Sequence, residues 1–292
     1  MRYFSTFTGI GGFEVGIERA DPAAEFVGYS EINPYAAAIY DYHYKNKGVR
    51  NYGDITKIKA ETLPEFDCLV GGYPCQAFSI AGKRRGFEDT RGTLFFDLAR
   101  ILRAKRPRLF VFENVRNLVS HDHGRTFATM LATLDELGYC VQWQVMDSRG
   151  ANVPQHRERV YIVGNYGKEP IGPILPIRRT ESETAKKICE VANCGKGYVS
   201  GRIFDTSGSA PTLTVCDARS VQIRLDDGRI RRLTPVETER LQGFDDDWTK
   251  YGLYEDGVHE MSDSRRYQAC GNAVTTKVVE LVMRRIMEAL DD

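Results

Sequence analysis

The sequence predicts a doubly wound α/β fold with a small inserted domain. In the first half of the chain, short β-type runs alternate with helical patterns, which is typical of such a sheet. The glycines Gly9, Gly11 and Gly12 follow the first β-type run, where this fold makes a tight turn. After about residue 165, prolines, glycines and hydroxyl residues become frequent. We therefore predict a sheet domain from residues 1–165 and 255–292, with a small domain at 166–254.

Each element of the sheet domain has its own local signal. The β-type runs are MRYFSTF, EFVGYSEI, FDCLVGG, RLFVFENV, VQWQVMDS and RVYIVGNY. Between them, FEVGIERA, PYAAAIYDY, RGTLFFDLARILRAKRP and TFATMLATLDELG predict helices. Asn33 is expected to cap the second of these helices, with Pro34 at its first position.

The second half contains weaker but specific signals. VQIRLDDGRIRRL predicts a hairpin that turns at Asp227 and Gly228. In TPVETERLQG, Thr234 and Glu237 have the spacing of a capping box, and Gly243 ends the helix. AVTTKVVELVMRRIMEAL predicts a strongly amphipathic helix, which we expect to pack on the sheet of the first domain.

Composition limits the class of protein. The chain has 292 residues, 42% of them hydrophobic and 27% charged, as in soluble domains. No apolar stretch is long enough for a membrane span, and the N-terminus lacks a signal-peptide pattern, so we expect a cytoplasmic protein. The seven cysteines are scattered, and Cys189 and Cys194 lack a matching second pair, which argues against a zinc site. We expect no metal.

The net charge of zero gives no global sign of a nucleic-acid partner. Basic residues nevertheless concentrate at 83–85, 100–108 and 229–232. Each run is either a solvated face or part of a basic cleft, because attraction of a ligand depends on local potential rather than net charge.

The first turn of the sheet predicts an adenosine-type ligand. Glycines there allow the ligand close to the backbone, and Glu31 follows about twenty residues later, where a carboxylate accepts from ribose hydroxyls. Asp54 follows another β-type run. Because the spacing is not that of the dinucleotide fingerprint, S-adenosylmethionine is favoured over NAD.

Four reactive side chains are expected at the same edge. Cys75 and Glu113 each follow a predicted strand, and Arg157 and Arg159 alternate on an extended segment and so point the same way. Guanidinium groups stabilise a thiolate, and a carboxyl group can protonate a ring nitrogen. The alternative is that Cys75 is a buried small residue and Glu113 belongs to a structural ion pair.

The ordered motifs decide between these interpretations. FTGIGG, EIN, GDIT, GGYPCQAFS, FENV, QHRERVYIVG, RLTPVETERLQGF and RYQACGNAV resemble, in order and spacing, the motifs of the C5-cytosine DNA methyltransferases. CQAFSIAGKRRGFEDTRGTLFFDLAR is especially similar to the bacterial modification enzymes of the HhaI type. The resemblance covers nearly the whole chain except about 166–228. It implies a Rossmann-like S-adenosylmethionine-dependent methyltransferase sheet with an inserted target-recognition domain.

The resemblance implies a covalent mechanism. Cys75 matches the nucleophile that adds to C6 of cytosine, and Glu113 matches the group that engages N3 and the exocyclic amine. Arg157 and Arg159 match the guanidiniums that orient the base and the nucleophile. The methyl group then passes from S-adenosylmethionine to C5, leaving S-adenosylhomocysteine. The cytosine must leave the duplex stack, which implies base flipping.

Further residues match binding positions of the family. Those expected at the cofactor are Phe7, Gly9, Gly11, Glu31, Ile32, Asp54, Ile55, Pro74, Leu94, Asn272 and Val274. Those expected at DNA are Tyr73, Gln76, Ser79, Lys83, Arg84, Arg91 and Lys196. Tyr73 stands where the family has proline or phenylalanine, and we expect its ring to pack beside the base.

The expected partner is double-stranded DNA, and the protein is expected to bind it as a monomer. The protein would belong to a restriction–modification system, with or without a cognate endonuclease, or would be a phage or orphan modification enzyme. The alternative is a tRNA cytosine methyltransferase of the same superfamily, which would share the four reactive residues. The segment APTLTV favours DNA. A catalytically silent homologue and an NAD-dependent oxidoreductase each leave the Cys75 motif unexplained.

Overall fold

The computed structural model describes residues 1–74, 94–167, 169–177, 190–193, 202–214 and 221–291. A six-stranded sheet lies at the centre, in the order β2-β1-β3-β4-β6-β5. Its strands are β1 (Arg2–Thr6), β2 (Glu25–Ser30), β3 (Cys68–Gly72), β4 (Leu109–Val115), β5 (Tyr139–Asp147) and β6 (Glu158–Tyr166). The predicted α/β sheet is therefore confirmed within these residues.

Helices cover both faces of the sheet. The described helices are α1 (Gly12–Ala20), α2 (Pro34–Tyr44), α3 (Leu94–Lys105), α4 (Arg125–Glu136), α5 (Pro235–Gln242), α6 (Asp263–Asn272) and α7 (Thr276–Asp291). Of these, α5 and α6 pack on each other rather than on the sheet faces. Leu98 of α3 and Leu134 of α4 belong to the hydrophobic cluster on one face. Ile17 of α1 and Val282 of α7 belong to the cluster on the other. The predicted packing of the last helix on the sheet is confirmed.

The sheet is mixed rather than fully parallel. β1, β2, β3 and β4 are parallel, whereas β6 runs antiparallel to both β4 and β5. Only residues 148–157 join β5 to β6, which is too short for a parallel crossover and imposes an antiparallel pair. The strand order reverses between β1 and β3, which places a binding crevice outside their carboxyl ends.

The predicted local signals are confirmed. The Asn33 side chain accepts from the N–H groups of Tyr35 and Ala36 at the start of α2. Thr234 and Glu237 form the reciprocal capping box of α5. β9 (Gln222–Arg224) and β10 (Ile230–Arg232) form an antiparallel hairpin with Gly228 at φ 83° in its turn.

A smaller sheet lies beyond the main one. Its order is β10-β9-β8-β7, with β7 at Glu190–Asn193 and β8 at Arg202–Asp205. A separate hairpin of β11 (Tyr251–Tyr254) and β12 (Gly257–Glu260), which the sequence did not predict, packs against α2 through β11. Phe244 joins Ile10 and Ile39 in one cluster, so part of the segment 166–254 lies on the sheet domain. The division into two domains stays a prediction.

Two glutamines fix the chain where it leaves the main sheet. The Gln142 amide accepts from the N–H groups of Ile174 and Leu175 and donates to the carbonyl of Gly172. The Gln144 amide both donates to and accepts from the backbone of Ile177. These side chains satisfy backbone groups that have no strand partner. Residues 172–177 are thereby held across β5.

Glu14 is an unusual residue in this core. It lies in the first turn of α1 with no exposed surface. The Tyr40 hydroxyl donates to its Oε1 at 3.2 Å, while its Oε2 has no hydrogen-bond partner among the described residues. Burial raises the pKa of Glu14 to about 7.

The Glu14→Gln variant should be more stable than the parent at pH 8. The pKa of Glu14 rises from 4.5 to about 7 on folding. Below pH 4.5 Glu14 is protonated in both the folded and the unfolded state and costs no stability. As the pH rises from 4.5 through 7, the unfolded state ionises first, so the free energy of unfolding falls. The expected gain is up to about 3 kcal/mol at pH 8 and near zero at pH 4.5. Urea denaturation at both pH values measures it.

Glu288→Gln on α7 is the matched control, because the Glu288 side chain is 60% exposed and pairs with Arg285. That variant should leave the pH dependence of unfolding unchanged. An equal gain for Glu14→Gln at both pH values would assign the effect to packing instead.

Candidate active site

The turn after β1 is built for close approach of a ligand. Phe7 and Gly9 both have left-handed backbones, with φ of 53° and 55°. For a phenylalanine this conformation is uncommon and is found chiefly at functional sites. A Cβ added to Gly9 would meet no atom within 4 Å, so the backbone there faces open space. The turn therefore exposes its main chain at the edge of the sheet.

Glu31 is held in place by the backbone. Its Oε2 accepts from the Gly9 N–H at 2.8 Å, and its Oε1 accepts from the N–H groups of Ile32 and Asn33 at 2.8 and 2.7 Å. These bonds join the ends of β1 and β2 through one carboxylate. Because a carboxylate accepts about four hydrogen bonds, Glu31 retains capacity for a ligand hydroxyl.

Glu113 and Arg159 form an ion pair at the end of β4. Arg159 Nε lies 3.0 Å from Glu113 Oε1, and the Glu113 side chain is 11% exposed. Burial raises the pKa of Glu113, although the guanidiniums of Arg159 and Arg157 oppose this rise. The Glu113 carboxyl group therefore keeps its proton to a higher pH than an ordinary glutamate does.

Arg157 is buried more deeply and binds carbonyl oxygens. Its Nη1 donates to Leu213 at 2.7 Å, and its Nη2 donates to Ala273 at 2.9 Å and Gly271 at 3.3 Å. Burial, followed by the nearby charge of Arg159, lowers the pKa of Arg157 to about 10, so it stays charged at pH 7. Arg157 therefore ties together two segments distant in sequence from its own strand.

Asn114 positions the backbone just before Cys75. It is buried, and its Nδ2 donates to the carbonyl of Tyr73 at 2.8 Å. The Tyr73 ring is 4% exposed and lies near Phe95 and Phe112 in the hydrophobic core. Tyr73 also lines a cavity that Glu113 lines, and the expectation that its ring packs beside the base stays a prediction.

One cavity of about 520 Å³ brings most of the predicted side chains together. Glu113, Arg157 and Arg159 line it. So do nine of the predicted cofactor residues: Phe7, Gly9, Glu31, Ile32, Asp54, Ile55, Pro74, Leu94 and Asn272. The nucleophile predicted from sequence is adjacent in the chain to Pro74.

Two predicted cofactor residues lie behind the cavity wall. Gly11, at φ 91°, is backed by the Tyr44 ring, which a Cβ would approach to 2.8 Å. Val274 is 8% exposed and packs on Gly12, where a Cβ would meet its carbonyl at 2.8 Å. In this structure both shape the turn rather than line the cavity. Among the predicted residues, Cys75, Gln76, Ser79, Lys83, Arg84, Arg91 and Lys196 lie outside the described residues.

Several lining residues were missed by the sequence analysis. Asn114 follows Glu113 directly in FENV, and Tyr35 follows the Asn33 cap. Arg265 and Gln268 lie on α6, one helical turn apart, in a segment too polar to give a periodic signal. Arg265 directly precedes the motif RYQACGNAV and Gln268 lies within it, and this was their only sequence signal.

The described residues contain no cluster of three or more histidine, cysteine, aspartate or glutamate side chains suited to a metal. Across the same ranges, every helix is too short or too polar to span a bilayer.

Solved structures share this architecture. The Dnmt2 methyltransferase of S. pombe matches with a TM-score of 0.75 at 18% identity, covering 100% of both chains. A putative DNA modification methyltransferase encoded within a prophage of E. coli matches with a TM-score of 0.70 at 17% identity, again over 100% of both chains. At these identities the likeness shows the fold.

Sequence relatives identify the family. The type II methyltransferase M1.ScrFI of Lactococcus lactis subsp. cremoris is 36% identical over 98% of this chain and 77% of its own length. M.HhaI of Haemophilus parahaemolyticus is 32% identical over 100% of this chain and 95% of its own length. The family model for C-5 cytosine-specific DNA methylase matches residues 1–196 and 177–288. The chain therefore belongs to the C-5 cytosine-specific DNA methylase family and is a DNA (cytosine-5-)-methyltransferase of the restriction–modification type.

Proposed function

We propose that the protein methylates C5 of a flipped cytosine in a short duplex DNA site through a covalent adduct of Cys75 with C6. The convergence of Glu113, Arg157 and Arg159 on one cavity beside Pro74 carries this proposal. Cys75 is the next residue in the chain after Pro74, which lines that cavity.

The cavity fits S-adenosylmethionine. Ile32 is 71% exposed and lines it, which supplies an apolar surface for an adenine ring. Glu31 has remaining acceptor capacity for ribose hydroxyls, and Asp54 offers a second carboxylate. Gly9 leaves space for close approach to the backbone. When bound, the cofactor supplies an electrophilic methyl group.

Each side chain has a separate role in the reaction of the base. The Cys75 thiolate forms a bond to C6, and Glu113 donates a hydrogen bond to N3, so that electron density moves to C5. Arg159 pairs with Glu113 and fixes its orientation at 3.0 Å. After methylation, loss of the C5 proton restores the double bond and expels the thiolate. The ring must leave the duplex stack for the thiol to reach C6.

DNA contacts are proposed from the family match. Lys83, Arg84, Arg91 and Lys196 would neutralise phosphates, a contribution that does not depend on sequence. Gln76 and Ser79 would lie near the base. The bound DNA would be double-stranded, and the protein would act as a monomer with or without a cognate endonuclease.

The wild-type protein should transfer labelled methyl groups from S-adenosylmethionine to cytosine C5 in duplex DNA and not to tRNA. A duplex with 5-fluorocytosine at the target position should form a covalent complex that survives denaturing electrophoresis, because fluorine cannot leave as a proton does. Cys75→Ser should abolish both signals. Bisulfite sequencing of DNA from expressing cells identifies the site.

Cys140→Ser is the matched control, since Cys140 is a partly buried thiol on β5 that is absent from the cavity wall. It should methylate and trap like the parent. Transfer to tRNA alone would overturn the DNA assignment, and a trapped complex with Cys75→Ser would remove Cys75 from the nucleophilic role.

A further inference from the structure

Three arginines line the cavity, and two have assigned partners. Arg159 is paired with Glu113, and Arg157 donates to three backbone carbonyls. Arg265 is different, because no carboxylate among the described residues pairs with it. It lies in the first turn of α6, and its position is not covered by the catalytic roles assigned above.

Arg265 is held in a defined orientation without its charge being neutralised. Its guanidinium carbon lies 3.6 Å from the centroid of the Tyr35 ring. Its Nη1 donates to Gln268 Oε1 at 2.9 Å, one turn further along α6. Stacking uses the face of the guanidinium and leaves the remaining in-plane N–H groups available for an anion.

The neighbouring wall residues place this cation beside the cofactor surface. Tyr35 and Gln268 line the same cavity as Asn272, a predicted cofactor residue, and Gln268 lies one turn before Asn272 on α6. The Tyr35 ring is 38% exposed, so the stacked pair lies at the mouth of the cavity.

Charge complementarity then selects the ligand group. S-adenosylmethionine has a single anionic group, the carboxylate of its methionine moiety. Guanidinium–carboxylate hydrogen bonds are the strong, charge-assisted type. We propose that Arg265, oriented by Tyr35 and Gln268, is a cofactor-binding residue that recognises this carboxylate. The inference rests on the proposed function, since it names the residue that binds the carboxylate of the proposed cofactor.

The test compares two ligands that differ only in the carboxylate. Calorimetric titration without DNA measures the binding of S-adenosylmethionine and of its decarboxylated form to the parent and to Arg265→Gln. The variant should bind S-adenosylmethionine at least tenfold more weakly, as expected for loss of a charged hydrogen bond. Its affinity for the decarboxylated form should stay within about twofold of the parent's. Arg265→Lys, which keeps the charge, should recover part of the loss.

Arg50→Ala is the matched control, because Arg50 also stacks on a tyrosine, at 5.0 Å from Tyr52, and does not line the cavity. It should bind both ligands like the parent. Equal weakening of both ligands by Arg265→Gln would overturn the inference in favour of a structural role in the wall. Unchanged ligand binding with weakened DNA binding would overturn it in favour of a phosphate contact. If the parent binds neither ligand, the proposed cofactor itself fails.

Discussion

Glu113→Gln is expected to lower kcat for DNA methylation by roughly 10²–10⁴-fold, the usual contribution of a positioned acid–base group. Glutamine has nearly the same shape as glutamate but cannot transfer the proton at N3. Cofactor binding should change little, because Glu31 follows β2 and Asp54 caps the 3-10 helix Ile55–Lys57, so neither belongs to β4. The rate of methylation of a duplex under single-turnover conditions measures this loss. A melting curve shows that the variant folds.

Glu158→Gln is the control for this variant. Glu158 begins β6 and pairs with the exposed Arg116, so its replacement should leave kcat within about twofold. If Glu113→Gln retains kcat within threefold of the parent, Glu113 is only the structural ion-pair partner of Arg159.

The direction of the Glu113 pKa adds a pH signature to the same experiment. Burial raises this pKa, so the protonated form persists to higher pH than in an ordinary carboxyl group. A group that acts as a donor loses its effect as pH rises through its pKa. We therefore expect a decrease in kcat/KM on the alkaline side that is missing from the Glu113→Gln profile.

Arg157→Met is expected to have the largest effect on stability. Methionine fills much of the volume but leaves the carbonyls of Leu213, Gly271 and Ala273 without their donor. Each buried acceptor left unpaired costs about 1–3 kcal/mol, so the free energy of unfolding should fall by at least about 3 kcal/mol. Urea denaturation measures this loss.

Arg116→Met provides the comparison, because the Arg116 side chain is 62% exposed and its ion pair with Glu158 is solvated. Its cost should be below about 1 kcal/mol. Equal costs for the two variants would show that the three carbonyls find other donors when Arg157 is removed.

The sequence predicted those features of the fold that depend on residues close together in the chain. The Asn33 cap and the Thr234 capping box depend on residues within one turn, and both form as predicted. The sheet order depends on pairing between distant strands, which a linear pattern does not encode. The short connection 148–157, in contrast, was a local sign that β5 and β6 are antiparallel. The alternation of Arg157 and Arg159 correctly placed both at the cavity, because an extended backbone determines it.

Other site features required the three-dimensional structure. Tyr73 stands two residues before Cys75 and Asn114 directly after Glu113, yet no sequence signal showed that the Asn114 side chain donates to the Tyr73 carbonyl. The sequence left the basic run at 229–232 open between a solvated face and part of a basic cleft. Arg229 pairs with Asp227 and Arg231 with Glu237, so ion pairs within the segment use two of its charges.

The two glutamine clamps on β5 have a consequence for how such enzymes diversify. Gln142 and Gln144 immobilise residues 172–177 on the main sheet before the chain enters the small sheet. Changes of length between this anchor and β8 therefore start from a fixed point on the main sheet. Leu213, further along the chain, still reaches back to Arg157, so that contact has to be kept while the intervening chain changes.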